Sequence, residues 1–150
     1  MSYLEKQTYI SLGTALSVML IYCNYMYGYY LAGDFNGEGA TALVGQSTFW
    51  LIGGSIIMTI IAHIIFAFIY AIINQGRTEA DYKNDERDKQ IELRGIQFVL
   101  VIFSIGMLGC MGFLAYGALA YLVFIGIILS MFIANILGDI AKLYFYHQGF

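Results

Sequence analysis

Apolar residues along this chain neither alternate nor recur on one face; they run on. Residues 7–33, 39–76 and 95–138 contain no Asp, Glu, Lys or Arg. About 20 apolar residues of helix cross the ~30 Å hydrocarbon core of a bilayer. The first run holds one crossing. The second is longer but lacks a convincing interior turn, so it predicts one long helix with a glycine-rich lead-in. The third has room for two, joined near residues 115–118. The pattern predicts an all-α, integral membrane four-helix bundle built as two hairpins in a single domain, with helices near 9–31, 46–74, 95–116 and 119–146. The chain has no proline, so no helix carries a proline kink.

Polar positions concentrate between the second and third helices. The stretch RTEADYKNDERDKQIELRG, residues 77–95, holds eleven of the seventeen charged side chains. Basic residues gather in short cytoplasmic segments of membrane proteins. Lys6 precedes the first helix; Arg77, Lys83, Arg87, Lys89 and Arg94 lie between the second and third; Lys142 comes late in the fourth. Four crossings with both ends inside place all of them in the cytoplasm. The opposite loop, residues 33–41, carries only Asp34 and Glu38. The first apolar run lacks a small-x-small cleavage site, since Tyr29 and Tyr30 precede Leu31 and Ala32, and it is expected to stay as a helix rather than a cleaved signal.

Composition agrees. Sixty per cent of residues are hydrophobic, 11% are charged and the mean hydropathy is +0.73, against roughly a quarter charged in soluble domains. The formal net charge of −3 offers no basic surface for nucleic acid. Cys23 and Cys110 stand far apart, outside any C-x-x-C pair, and indicate no redox work.

Two residue patterns concern packing. Gly106, Gly109 and Gly112 recur at one-turn spacing in GMLGCMG, and small residues let membrane helices approach closely. They are expected to pack within the bundle, the sharper alternative being a contact between copies. In YCNYMYGYY, Tyr22, Tyr25 and Tyr29 share one face. Anchoring at the membrane interface is the expected role, ahead of an aromatic cage for a cation.

Residues 81–94 contain no Gly or Pro and are expected to be helical, continuing into the third helix. Asp81, Asp85, Asp88 and Glu92 share one face, but Arg87, Lys89 and Arg94 interleave with them and would compete with any cation, so no metal site is expected. Ile91, Arg87 and Arg94 make a second stripe suited to lie against a neighbouring helix end. An ion pair between Arg94 and Asp139 is expected to fix the third helix to the fourth. DERDKQIELRG, residues 85–95, resembles the D-E-R-D-x-x-I-x-x-[KR]-G signature of a family of small prokaryotic four-helix membrane proteins of uncharacterised function, and LEKQTYISLG is similar to that family's opening. The resemblance implies that Asp85, Glu86, Arg87, Asp88, Ile91, Arg94 and Gly95 form the family motif, facing a partner. It also implies a prokaryotic inner-membrane location and a regulatory or accessory role; it brings no activity with it.

Ionisable groups inside membrane helices are costly and are candidates for function by default. Here they are His63 in the second helix and Asp139, with Asn135 one turn before it, in the fourth. A proton- or cation-coupled route through these three is one expectation, although the first helix holds no deep carboxylate. Haem would need two histidines at one depth, whereas His147 lies beyond the fourth helix. Intramembrane proteolysis would need a nucleophile with its base, or paired aspartates. DFNGEG places Asp34, Asn36, Glu38 and Gly39 like the first half of a calcium loop, but position twelve is Gly45 where a bidentate Glu belongs, so a polar turn is the expected reading. No cofactor and no catalytic constellation is legible. The expectation is a non-enzymatic membrane protein acting as an accessory, regulatory or self-assembling subunit, with the lipid bilayer and a second copy or another membrane protein as partners; a small transporter or channel using Asp139, Asn135 and His63 is the alternative.

Overall fold

The computed structural model describes residues 3–37, 39–73 and 86–148. They form helices α1 (Tyr3–Ala32), α2 (Ala40–Ile73), α3 (Glu86–Ala115) and α4 (Ala120–Gln148), with a short 3-10 turn at Asp34–Asn36. Each helix has 29 to 34 residues and is long and apolar enough to cross a membrane. At about 1.5 Å per residue they span roughly 44–51 Å, more than the hydrocarbon core requires. In α1, α3 and α4 part of the excess carries charge, while α2 is free of Asp, Glu, Lys and Arg throughout.

Two boundaries differ from expectation for one reason. α1 begins at Tyr3 rather than near residue 9, and α2 at Ala40 rather than near 46. In both cases the residues read as flank are held by packing. Glu5 and Thr8 are buried, and so are Ala40 and Val44. Gly45 is simply accommodated inside α2. The proposed helix at 81–94 is described from Glu86 onward, where it is continuous with α3; Asp85, the rest of the charge run and Asn74 lie outside the described residues.

The α3–α4 turn is set by Gly117, whose φ of 86° is left-handed. Gly117 N–H donates to Leu114 O at 3.0 Å and Ala118 N–H to Phe113 O at 3.1 Å. This paired closure satisfies the last carbonyls of α3 and needs a residue without Cβ at its pivot.

α4 is the central helix: it packs against α1, α2 and most extensively α3, while α1 also packs against α2. The α3–α4 seam is built from small residues. Gly126, Ser130, Ala134 and Gly138 recur every fourth position of α4. A Cβ on Gly126 would come within 2.9 Å of Cys110 Sγ, one on Gly106 within 2.6 Å of Ser130 Cβ, and one on Gly138 would overlap Val99. Each step down α4 is answered by a step up α3, the register of an antiparallel pair. Without a hydrophobic drive between helices in lipid, such close backbone approach is what holds a pair together. Of the expected glycine stripe, only Gly106 belongs to this seam. Gly109 and Gly112 have no atom within 4 Å of where a Cβ would stand, because a spacing of three rotates the stripe off the contact face.

On the other side of α4, Val18, Tyr22, Met26, Val44 and Phe132 form the core between α1, α2 and α4. The outside is more apolar than the inside: Phe49, Leu108, Phe113, Ile73 and many other large side chains are exposed. Polar side chains within the apolar stretches mostly bond to their own helix. Thr14, Ser17, Thr48, Ser104, Ser130 and Asn135 all donate to a carbonyl three or four residues earlier, which satisfies them without a partner on another helix.

Candidate functional site: a polar cleft at one end of the bundle

Both described ends of the chain and the start of α3 meet at one end of the bundle. Glu5 Oε1 of α1 lies 4.0 Å from His147 Nδ1 of α4. Arg87 of α3 donates through Nη2 to Tyr146 O at 3.3 Å. The Tyr3 ring meets Tyr70 of α2 edge-on at 5.0 Å, and Lys6 Nζ sits 5.0 Å from the centre of the same Tyr70 ring.

Just inside this end is a small cleft of about 180 Å³, lined from all four helices by Gln7, Thr8, His63, Glu92, Asp139 and Lys142 among others. That is room for a few waters, each needing about 30 Å³. Asp139 is 6% exposed, and Glu5 and Thr8 are each 8% exposed. Burying a carboxylate is costly unless it is paired or hydrogen-bonded. Asp139 accepts from Lys142 Nζ at 3.3 Å, one turn along the same helix. Thr8 donates to Leu4 O at 2.9 Å. His63 places Nδ1 2.8 Å from Thr59 O; since a carbonyl only accepts, Nδ1 is the donor of that bond. Among the described residues, no three of His, Cys, Asp and Glu converge as a metal-binding group. The arrangement is a cluster of proton donors and acceptors around a cleft large enough for water.

His63 and Asp139 therefore reach one cleft, as a shared route would require. Asn135 does not line it: it is exposed and donates to Met131 O at 2.9 Å. The expected Arg94–Asp139 pair also fails to form. Lys142 takes the carboxylate, and Arg94 sets its guanidinium 5.7 Å from the centre of the Phe145 ring.

The charged motif divides by position. Ile91 is 2% exposed and Gly95 is buried in the contact with α4. Arg87 and Arg94 bracket Ile91 and reach the end of α4, while Glu86, Lys89 and Gln90 are exposed. Asp88 is half-buried beside Tyr146, and Asp85 lies outside the described residues.

Glu5, Thr8 and Tyr146 were not singled out from the sequence, and Lys142 was noted for its charge and not as the partner of Asp139. Their signal was present in the spacing: Glu5 and Thr8 prolong the buried stripe of α1 that passes through Val18, Tyr22 and Met26 at steps of three and four. No family model, curated protein or solved structure matches the chain.

Proposed function

We propose that this is a multi-pass protein of the prokaryotic inner membrane that crosses the bilayer four times and keeps both ends and the charged segment in the cytoplasm. It works by association, as an accessory, regulatory or self-assembling subunit, rather than by catalysis. The location follows from resemblance of residues 85–95 to a family of small prokaryotic membrane proteins. The orientation is supported by the gathering of Lys6, Arg87, Arg94 and Lys142 at one end of the bundle. Lipid is the solvent that so apolar an exterior needs.

One observation carries association. α3 is packed against α4, and its most apolar stretch contains no buried residue. On this open helix Gly109 and Gly112 leave gaps where a second helix can approach. Glu86 and Lys89 would present the cytoplasmic part of the same helix to that partner. The test is native mass spectrometry of the protein in lipid nanodiscs. A discrete homo-oligomer that Gly109→Leu with Gly112→Leu reduces to monomer supports the reading. A wild-type monomer that carries no second protein refutes it.

The polar cleft favours a second reading, a small proton- or cation-coupled transporter in which His63 and Asp139 act together while Asn135 does not. Proteoliposome flux that Asp139→Asn abolishes, with the protein still folded, would select it over association alone.

A further inference from the structure

One face of α1 lines two cavities. Leu4, Thr8 and Ser11 border the polar cleft. Through Ala15 the same stripe continues, at steps of three and four, into Val18, Tyr22, Tyr25 and Tyr29, which border a groove of about 650 Å³ between α1 and α2. The groove runs from Tyr29 and Leu43, beside the α1–α2 turn, to Val18 and Met58. The cleft begins at Ser11 and His63 and reaches the other end of the bundle at Leu4 and Tyr146. Ser11 to Val18 on α1 and Met58 to His63 on α2 are the only steps between them, about 7–10 Å of helix rise. Residues 12–17 and 59–62, which fill those steps, include no ionisable side chain. Two polar paths from opposite ends thus stop at one short uncharged barrier.

The cleft holds the groups able to carry a charge to that barrier. Asp139 accepts Lys142 Nζ on Oδ1. No other hydrogen bond among the described residues reaches this carboxylate, so Oδ2 is left for water or a proton. His63 commits Nδ1 to Thr59 O, which leaves Nε2 to gain or lose a proton. The other titratable groups facing Asp139 are Glu92 of α3, which is exposed, and Lys142 and Tyr146 of its own helix. α1 contributes none to the lining; Glu5 lies beside His147 instead.

Size and charge select the ion. The cleft's 180 Å³ holds a few waters and falls below the ~300 Å³ at which organic-ligand pockets begin. A metal cation would have to displace the Lys142 ammonium from Asp139. It would then find no group of three His, Cys, Asp or Glu among the described residues. A proton needs neither the room nor the ligand set. In the groove, Tyr25, Gln46, Ser47 and Ser55 together supply donors and acceptors, as a chain of waters requires.

We propose that protons cross the protein along this face of α1. A proton arriving at the polar end binds Asp139 Oδ2, passes through water in the cleft to His63 Nε2, and leaves along the groove; the reverse direction uses the same atoms. This deepens the transporter reading of the cleft and rests on it. The test uses the protein in liposomes that hold the pH dye pyranine, with a potassium diffusion potential, negative inside, as the driving force. Proton influx faster than in protein-free vesicles is expected, unaltered by sodium added outside. His63→Gln and Asp139→Asn should each return it to the protein-free rate. Gly54→Leu should slow it by filling the groove, since Gly54 lines the groove and has open space where a Cβ would stand. Asn135→Ala, away from the cleft, should leave it unchanged. His63→Gln, at a half-buried position, should melt with wild type, which separates lost conduction from lost fold. Proton influx that survives His63→Gln or Asp139→Asn, or that Gly54→Leu leaves untouched, would overturn the route. Sodium influx, read with a sodium dye and abolished by Asp139→Asn in the absence of proton influx, would overturn the proton and leave the transporter reading standing. Influx of neither ion would overturn both.

Discussion

The aliphatic stem of Lys142 lies across Gly95, so close that a Cβ on Gly95 would overlap it, and the ammonium turns back one turn to Asp139. One residue of the charged motif thus owes its identity to a side chain on another helix. The contact joins the α3–α4 seam to the polar cleft. A wider residue at 95 would disturb both.

Gly95→Ala should lower stability by about 1–3 kcal/mol, the usual range for overpacking. Because the obstacle is the Lys142 stem, Gly95→Ala and Lys142→Ala should couple in a double-mutant cycle, the double variant being more stable than the sum of the singles. Thermal unfolding in detergent measures this. Additive effects would mean that the helices adjust by backbone movement instead.

Asp139→Ala and Lys142→Ala should also couple, by about 1 kcal/mol, the scale of one charge-assisted bond with a partly exposed partner. Arg94→Ala and Asp139→Ala should not, since Arg94 lies over Phe145. Arg94→Ala and Phe145→Leu should couple, since the guanidinium lies over that ring. Unfolding midpoints of the three cycles give the comparison.

The seam predicts a sharp contrast between neighbouring glycines. Gly106→Val meets Ser130 and should destabilise the folded chain by about 1–3 kcal/mol. Gly109→Val has no atom of the described residues within 4 Å of its Cβ and should lower the monomer's unfolding midpoint far less than Gly106→Val does. A large drop for Gly109→Val seen only in the oligomer would locate the contact between copies.

Orientation is checked with cysteines introduced on a background lacking Cys23 and Cys110. Asn36→Cys, in the α1–α2 turn, should react with a membrane-impermeant maleimide in intact cells. Gln90→Cys, exposed at the start of α3, should react only after the membrane is opened. The reverse pattern would invert the topology.

Four helices, their approximate centres and the turn at residues 115–118 were legible in the sequence. Each follows from a local property: a charge-free run long enough for a bilayer, ended by charge or glycine. The continuation of the charged helix from Glu86 into α3 was legible for the same reason, since nothing between Glu86 and Arg94 breaks a helix. What local reading could not supply was facing. In a helix that is apolar all round, the side meeting lipid and the side meeting a neighbour are equally hydrophobic, so the usual periodicity is erased. The GMLGCMG glycines therefore looked like one packing stripe, yet only Gly106 meets α4, and the four-residue stripe of small side chains on α4 passed unnoticed.

The site shows the same division. His63 and Asp139 could be picked out because a polar group in an apolar run is conspicuous in any arrangement. Their shared cleft, the burial of Glu5 and Thr8 beside it, and the choice of Lys142 over Arg94 as partner of Asp139 were decided by how α1 and α4 cross. The sequence alone determined where the chain can leave water, because hydrocarbon tolerates neither charge nor unpaired backbone. Tertiary structure decided which polar groups meet once there, because close contact between helices depends on register and small-residue fit, to which hydrophobicity is blind.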